Sequence, residues 1–97
     1  MDNMTVNVKF IGSFRSLSGK SRLSLKLENA APFRDVVKKI AEGLPRLEEA
    51  LIDPESGSPK TNMLVLVNGK EISVLNGLET AIKDGDEVVF VPVVHGG

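Results

Sequence analysis

Hydrophobic and polar residues alternate along two segments near the start of the chain. In residues 4–11 the apolar side chains take every second position, beginning with Met4 and Val6, and in residues 21–28 leucine takes positions 23, 25 and 27. A period of two is typical of a half-buried strand, because successive side chains point to opposite faces of a sheet. The pattern therefore predicts two strands that form a hairpin. Residues 12–20, between them, are rich in glycine and serine, and we expect them to form a loop.

The period changes to that of a helix after residue 31. The apolar residues at helical spacing are Phe33, Val36, Val37, Ile40 and Leu44. They form one stripe, as expected for a helix that packs one side against a core. Pro32 suits the first helical turn, and Gly43 with Pro45 signals the end, so the main helix is predicted between them. The sequence also predicts a further short helical segment at residues 45–52.

Turn residues divide the second half of the chain into short elements. Residues 53–62 are expected to form an exposed loop, and residues 63–67 a strand. Asn68 and Gly69 favour a tight hairpin, because both central positions of such a turn need positive φ. We expect the return strand at 70–75, a turn with a brief helical stretch at 76–83, and a fifth strand at 87–94.

The order of these elements, two strands, a main helix and then three strands, predicts a single α+β domain over residues 1–97. One main helix would pack across one face of the sheet. The last strand is apolar at both its odd-numbered and its even-numbered positions (both parities), so both of its faces are apolar. This is typical of a central strand. Val88 and Phe90 are predicted to face the core. Val89 and Val91 would then lie on the other face and contact a partner. The alternative is that the loop at 53–62 covers that face.

Composition excludes several classes of function. Hydrophobic residues make up 41% and charged residues 26% of the chain, and the net charge is −1, without the clustered basic residues that nucleic-acid binding needs. No apolar run is long enough to span a membrane, and the first residues do not resemble a signal peptide, so we expect a cytoplasmic protein. With no cysteine and one histidine, we expect no metal site, disulfide or thiol nucleophile.

The sequence ends in Gly96 and Gly97, directly after the apolar run and His95. Glycine has no side chain to pack, and ordering it costs more backbone entropy than ordering other residues. We therefore expect residues 93–97 to be a flexible tail that threads into another protein's active site, rather than part of the packed body. His95 is expected to be an exposed tail residue, not a catalytic base.

Three features resemble a known family. They are the segments VKFIGSFRSLSG, LVNGK with DGDEVVF, and the glycine pair at the end. Together they are similar to the ubiquitin-like sulfur carriers, which include the small subunit of molybdopterin synthase, the thiamine-pathway carrier and the ubiquitin-related modifiers. The resemblance implies a β-grasp fold, in which a mixed sheet of about five strands packs one face on a main helix.

The same resemblance implies a function for the tail. The Gly97 carboxylate would be adenylated by an ATP-dependent activating enzyme and converted to a thiocarboxylate, while Gly96 lets the tail pass a narrow channel. The chain would bind no cofactor itself. Its partners would be the activating enzyme and the large subunit of molybdopterin synthase or another sulfur acceptor, contacted through Val89, Val91, Val93 and His95. One alternative is a protein modifier joined to lysines, or a carrier for tRNA thiolation, and another is an interaction module with inert glycines.

Overall fold

The computed structural model describes residues 4–93. Its strands are β1 (Met4–Phe10), β2 (Arg22–Leu27), β3 (Ala31–Pro32), β4 (Met63–Val67), β5 (Lys70–Glu71), β6 (Ala81–Ile82) and β7 (Glu87–Pro92). Its α-helices are α1 (Ser13–Ser18), α2 (Phe33–Ala41) and α3 (Pro45–Leu51), and single 3₁₀ turns lie at Ile72–Val74 and Gly77–Glu79.

A mixed five-stranded sheet forms the body, in the order β2-β1-β7-β4-β5. β1 is antiparallel to β2 and parallel to β7, and β7 is antiparallel to β4. The strand that is apolar on both parities is therefore central, as predicted. The short strands β3 and β6 form a separate antiparallel pair.

The core lies between one face of the sheet, which we call the inner face, and the helices. The side chains that alternate inward from β1, β4 and β7 are buried, and so is the stripe of α2 from Phe33 to Ile40. Phe90 lies at the centre, with its ring centroid 5.9 Å from that of Phe10 and 6.0 Å from that of Phe33. The predicted core positions Val88 and Phe90 are thus confirmed, each with no exposed surface.

The prediction of a plain loop at residues 12–20 is wrong, because α1 lies within it. Phe14 is buried and Leu17 is partly buried against the core, so this segment has the spacing of a one-sided helix. Gly19 ends the helix with φ of 76°, and its N–H donates to the Arg15 carbonyl at 3.0 Å. The serine and glycine residues of this segment are typical of turns and led to the loop prediction, although Phe14 and Leu17 have helical spacing.

The predicted return strand at 70–75 is also wrong beyond Glu71. Pairing with β4 stops there, and a 3₁₀ turn follows in which Ile72 packs on the core while Val74 is 72% exposed. The turn before β5 is confirmed, since Asn68 and Gly69 have φ of 52° and 84°. Further along, Ala81–Ile82 forms β6 rather than part of a turn, because it pairs with the distant β3.

The main helix is confirmed but is shorter than its apolar stripe. α2 ends at Ala41, and Leu44 lies in the link to α3, where it is partly buried against the core. Pro32 precedes the first helical residue and has extended backbone angles, so it is the last residue of β3. The second helical segment is confirmed as α3, in which Leu47 and Leu51 are buried.

Candidate functional site

β7 leads directly toward the end of the chain, and its neighbours fix its position. Its last residue, Pro92, lies opposite Met63 of β4. On the other side, the Ile11 N–H donates to the Phe90 carbonyl at 3.0 Å. Gly12 adopts φ of 59°, and a Cβ added there would lie 3.0 Å from the Pro92 ring, so this backbone packs directly against the proline. The last described residue, Val93, therefore leaves the sheet from a closely packed point.

The start of β7 is held by side chains of the turn before it. Asp84 accepts the backbone N–H of Thr5 at 2.8 Å, and Asp86 accepts the N–H of Lys83 at 2.8 Å. Asn68, in the turn between β4 and β5, is bonded to the start of β7, because its Oδ1 accepts the Glu87 N–H at 2.9 Å and its Nδ2 donates to Asp86 Oδ1 at 2.9 Å. The DGD segment that contributes to the family resemblance thus fixes the strand that carries the tail.

The face of the sheet away from the helices, which we call the outer face, is apolar at the end of the sheet where β7 ends. Its two central strands place Val89 opposite Leu66 and Val91 opposite Leu64, all four half-buried. Ile11 follows β1 on the same parity and is 45% exposed. We call these five residues the outer-face patch. A contiguous apolar patch is a candidate docking surface, whereas scattered apolar side chains are ordinary on a protein surface.

The opposite end of the outer face is polar. Lys9 forms an ion pair with Glu87 at 3.7 Å, and Asn7, which lies opposite Glu87, is exposed. The outer-face patch is therefore confined to the end of the sheet from which the chain leaves toward Gly97. The outer-face patch thus lies near Val93, the first residue of the predicted tail.

The loop at 53–62 lies elsewhere. The N–H of Lys60 donates to the Leu51 carbonyl at 2.7 Å, and the N–H of Asp53 to the Ser58 carbonyl at 2.8 Å. Ile52 and Pro59 also pair. These bonds fasten the loop to the end of α3, on the helical side of the sheet, so they do not support the alternative in which it covers the outer face.

The structure places some of the predicted site residues together. Val89 and Val91 lie side by side on the outer face, and Val93 follows the strand with 46% of its surface exposed. His95, Gly96 and Gly97 lie outside the described residues, and so does most of the predicted tail at 93–97. That any of these residues contacts a partner stays a prediction.

Sequence reasoning missed Leu64, Leu66 and Ile11 as members of the patch. The run MLVLV is apolar on both parities, like the last strand, and this signal indicates a second strand with two covered faces. Ile11 was not distinguishable from other positions by its pattern alone. What joins it to Val91 is the parallel register of β1 and β7, which pairs Phe10 with Phe90.

Two features, a metal cluster and a membrane-spanning helix, are absent from the described residues. Within residues 4–93, no three acidic or histidine side chains converge as a metal ion requires. Every helix in that range is too short or too polar to span a bilayer. What the arrangement can do is hold a partner and present the chain that follows Val93.

A mixed sheet with a parallel central pair, crossed on one face by α2, defines a ubiquitin-like β-grasp domain. The chain belongs to the ThiS family, whose model matches residues 8–97. Small archaeal modifier protein 3 of Haloferax volcanii is 33% identical over 94 residues, which cover 97% of this chain and 100% of the relative. Sulfur carrier protein CysO of Mycobacterium bovis is 35% identical over 63 residues, covering 64% and 68% of the two chains.

The solved structures agree with this assignment. The solution structure of small archaeal modifier protein 1 from Methanosarcina acetivorans aligns with a TM-score of 0.84 and 28% identity, covering 100% of each chain. The resemblance to β-grasp sulfur carriers and ubiquitin-like modifiers is therefore confirmed. The family match extends through Gly96 and Gly97.

Proposed function

We propose that this chain is a sulfur carrier whose terminal carboxylate, on Gly97, is activated by a separate ATP-dependent enzyme. The observation that carries the proposal is the position of the outer-face patch beside the strand that leads into the tail. The family match through Gly97 supports it as well. The activating enzyme would dock on the patch, with Val93 and His95 as further contacts, and would receive the tail in its own active site.

The chemistry requires activation because a carboxylate is a poor electrophile. The carboxylate oxygen attacks the α-phosphate of ATP, pyrophosphate leaves, and an acyl-adenylate forms on Gly97. A persulfide sulfur then attacks the acyl carbon, AMP leaves, and reductive cleavage of the resulting acyl disulfide by a thiol gives the thiocarboxylate. The chain contains no cysteine, so both sulfur and thiol come from other molecules. ATP is a substrate of the activating enzyme and no cofactor of this chain.

The body and the tail have different tasks in this proposal. Docking of the body fixes where the tail begins, which converts a bimolecular encounter into a reaction between positioned groups. Gly96 and Gly97 lack side chains, so they fit a narrow channel in which a larger residue would clash. The chain is then a substrate and carrier, and the activating enzyme supplies the catalytic groups.

Two acceptors are compatible with an activated Gly97. Sulfur donation to a pterin precursor, with the chain as the small subunit of molybdopterin synthase, is supported by the resemblance of VKFIGSFRSLSG to that subunit. Linkage to lysine amines of target proteins is supported by a full-length relative that is named a modifier. Both acceptors require the same first step, so the activation can be tested before the acceptor is known.

Mass spectrometry of the intact chain from its native host tests the proposal. A mass gain equal to one sulfur-for-oxygen exchange at Gly97 is expected. Activation would be refuted if neither this gain nor a lysine linkage of Gly97 is found, in the purified chain or after its incubation with host extract and ATP. Peptides in which Gly97 is linked to a lysine would identify the modifier. A pterin product formed with a co-purified partner would identify the synthase subunit.

A pair of substitutions tests the docking face. Val91→Asp places a charge in the patch and should weaken binding of the activating enzyme more than tenfold, or more than about 1.4 kcal/mol. Asn7→Asp adds the same charge to the polar end of the same face and should leave binding unchanged. Equal effects of the two variants would show that charge alone, rather than the patch, decides binding.

A further inference from the structure

β2 is the long exposed edge of the sheet, distinct from the patch that serves the tail. Within residues 4–93 nothing pairs with its outer side, while β5 at the other edge has only two residues. An edge strand presents backbone groups to any extended chain that can align with it. This edge is six residues long, from Arg22 to Leu27.

The register shows which backbone groups of β2 are available. The Phe10 N–H donates to the Ser21 carbonyl at 3.0 Å, so Phe10 and Ser21 form a hydrogen-bonded pair. Such pairs recur at every second position of an antiparallel ladder, and the next one is Val8 with Leu23. The N–H and C=O groups of Arg22, Ser24 and Lys26 therefore point away from β1. An added strand would bond to these three residues.

The side chains of β2 differ between the two faces. On the inner face, Leu23 and Leu27 are only partly buried. Leu27 lines an open groove of about 580 Å³, which is also lined by Ala31 and Val36. An added strand would place its inward side chains beside these apolar groups. Aliphatic side chains at every second position would cover them.

On the outer face the edge is cationic. Arg22 and Lys26 are exposed on either side of Ser24, and Lys26 Nζ is held along the sheet by a hydrogen bond to Thr5 Oγ1 at 3.0 Å. The ion pairs within residues 4–93 are formed by Lys9 and Arg34, so neither cation of the edge has a carboxylate partner there. An added strand would meet these two charges directly.

Two acidic residues, Glu28 and Asp35, also line the groove, together with Lys26 and Lys39. Glu28 follows the strand, and Asp35 of α2 is one helical turn before Lys39, which offsets its charge. The cations on the strand itself therefore remain the charges that an added strand would oppose.

A second copy of the chain does not fit this edge. Two β2 strands paired antiparallel about Ser24 would place Arg22 of each opposite Lys26 of the other, and like charges directly opposite destabilise a sheet. An acidic strand would form favourable pairs at both positions. The chain as a whole has a net charge of −1, so a preference for acidic peptides would come from this edge alone.

We propose that the outer edge of β2 binds an extended peptide in which aliphatic side chains alternate with acidic ones. The aliphatic side chains lie over Leu23, Leu27 and the groove, and the acidic ones oppose Arg22 and Lys26. Backbone hydrogen bonds supply affinity, and the alternation supplies selectivity. This surface would let the domain recognise a partner while its tail is engaged elsewhere.

The probe is the capped peptide Val-Glu-Val-Ser-Val-Glu-Val, which presents the same pattern in either direction. Its control replaces both glutamates by lysine. The acidic peptide should bind about tenfold or more tightly than the basic one, because opposite and like charge pairs differ at two positions. In spectra of the ¹⁵N-labelled chain, the amides of Arg22, Ser24 and Lys26 should shift and exchange more slowly with solvent.

Variants of the chain locate the effect. Reversing both edge charges, by Arg22→Glu with Lys26→Glu, should reverse the preference between the two peptides, whereas Lys70→Glu at the other edge should not alter it. Ser24→Pro removes an outward N–H and should abolish binding, while Ser24→Ala should bind normally. If Ser24→Pro fails to fold, the double charge-reversal variant still tests whether the peptide binds at the edge of β2.

Three results would overturn the proposal. They are equal affinity for the two peptides, shifts centred on the outer-face patch instead of β2, and no binding at millimolar peptide. None of these results bears on Gly97, so the edge and the sulfur-carrier function can fail independently.

Discussion

Phe90 and Val91 are neighbours in sequence that face opposite sides of the sheet, and truncating each to alanine should have very different effects. Phe90 has no exposed surface and lies between the rings of Phe10 and Phe33, at 5.9 and 6.0 Å. Val91 is half-buried on the outer face. The pair therefore tests which side of β7 forms the core.

The magnitude follows from burial and from the aromatic contacts. Removing a buried phenylalanine ring costs about 3–5 kcal/mol, and the loss of two aromatic pairs puts Phe90→Ala near the upper end, at about 4–5 kcal/mol. Val91→Ala removes less buried area and should cost about 1 kcal/mol. For a domain of this size, about 4 °C or more of melting temperature is lost per kcal/mol, so Phe90→Ala should melt roughly 16 °C lower or more.

Urea titration followed by far-ultraviolet circular dichroism measures both free energies of unfolding. The chain has neither tryptophan nor tyrosine, so intrinsic fluorescence is a poor reporter. Calorimetry gives the melting temperatures independently. A cost below about 1 kcal/mol for Phe90→Ala, or a larger cost for Val91→Ala, would show that the inner and outer faces are assigned the wrong way round.

Three further perturbations follow from the same structure. Ile40→Ala should cost about 2–5 kcal/mol in urea titration, because Ile40 is 2% exposed in the middle of the helical stripe; a cost under about half a kcal/mol would mean that α2 faces elsewhere. Asn68→Ala should cost about 1–3 kcal/mol, since it strains a residue at φ of 52° and removes the bond to the Glu87 N–H, whereas Asn68→Gly keeps the turn and should cost less. Deleting Gly97 should leave the melting temperature unchanged and abolish thiocarboxylate formation; sulfur transfer by the deletion would contradict the proposed function.

Much of the fold is determined by local periodicity in the sequence. β1, β2 and the stripe of α2 each have one buried face, so burial appears directly as a period of two or of 3.6 residues. The Asn68–Gly69 turn could also be predicted from the sequence, because a backbone conformation with positive φ restricts which residues occur there. The central place of β7 followed from its two apolar parities.

Tertiary structure decided the elements whose periodicity is weak. α1 forms because Phe14 and Leu17 reach the core, although its serines are typical of turns. The strand after Gly69 stops at Glu71, because Ile72 turns inward to pack on the core instead of continuing the ladder. In both segments, contacts with distant residues override the local preference.

The candidate site shows the same division. The sequence alone predicted the glycine pair, Val89 and Val91 as site candidates, since the chemistry and the strand face of a residue are local properties. That Leu64 and Leu66 lie beside these valines is fixed by the register of β4 with β7, which joins residues about 25 positions apart in the chain. The free edge of β2 likewise depends on which strands become neighbours, and strand order follows from the packing of the whole domain rather than from any one segment.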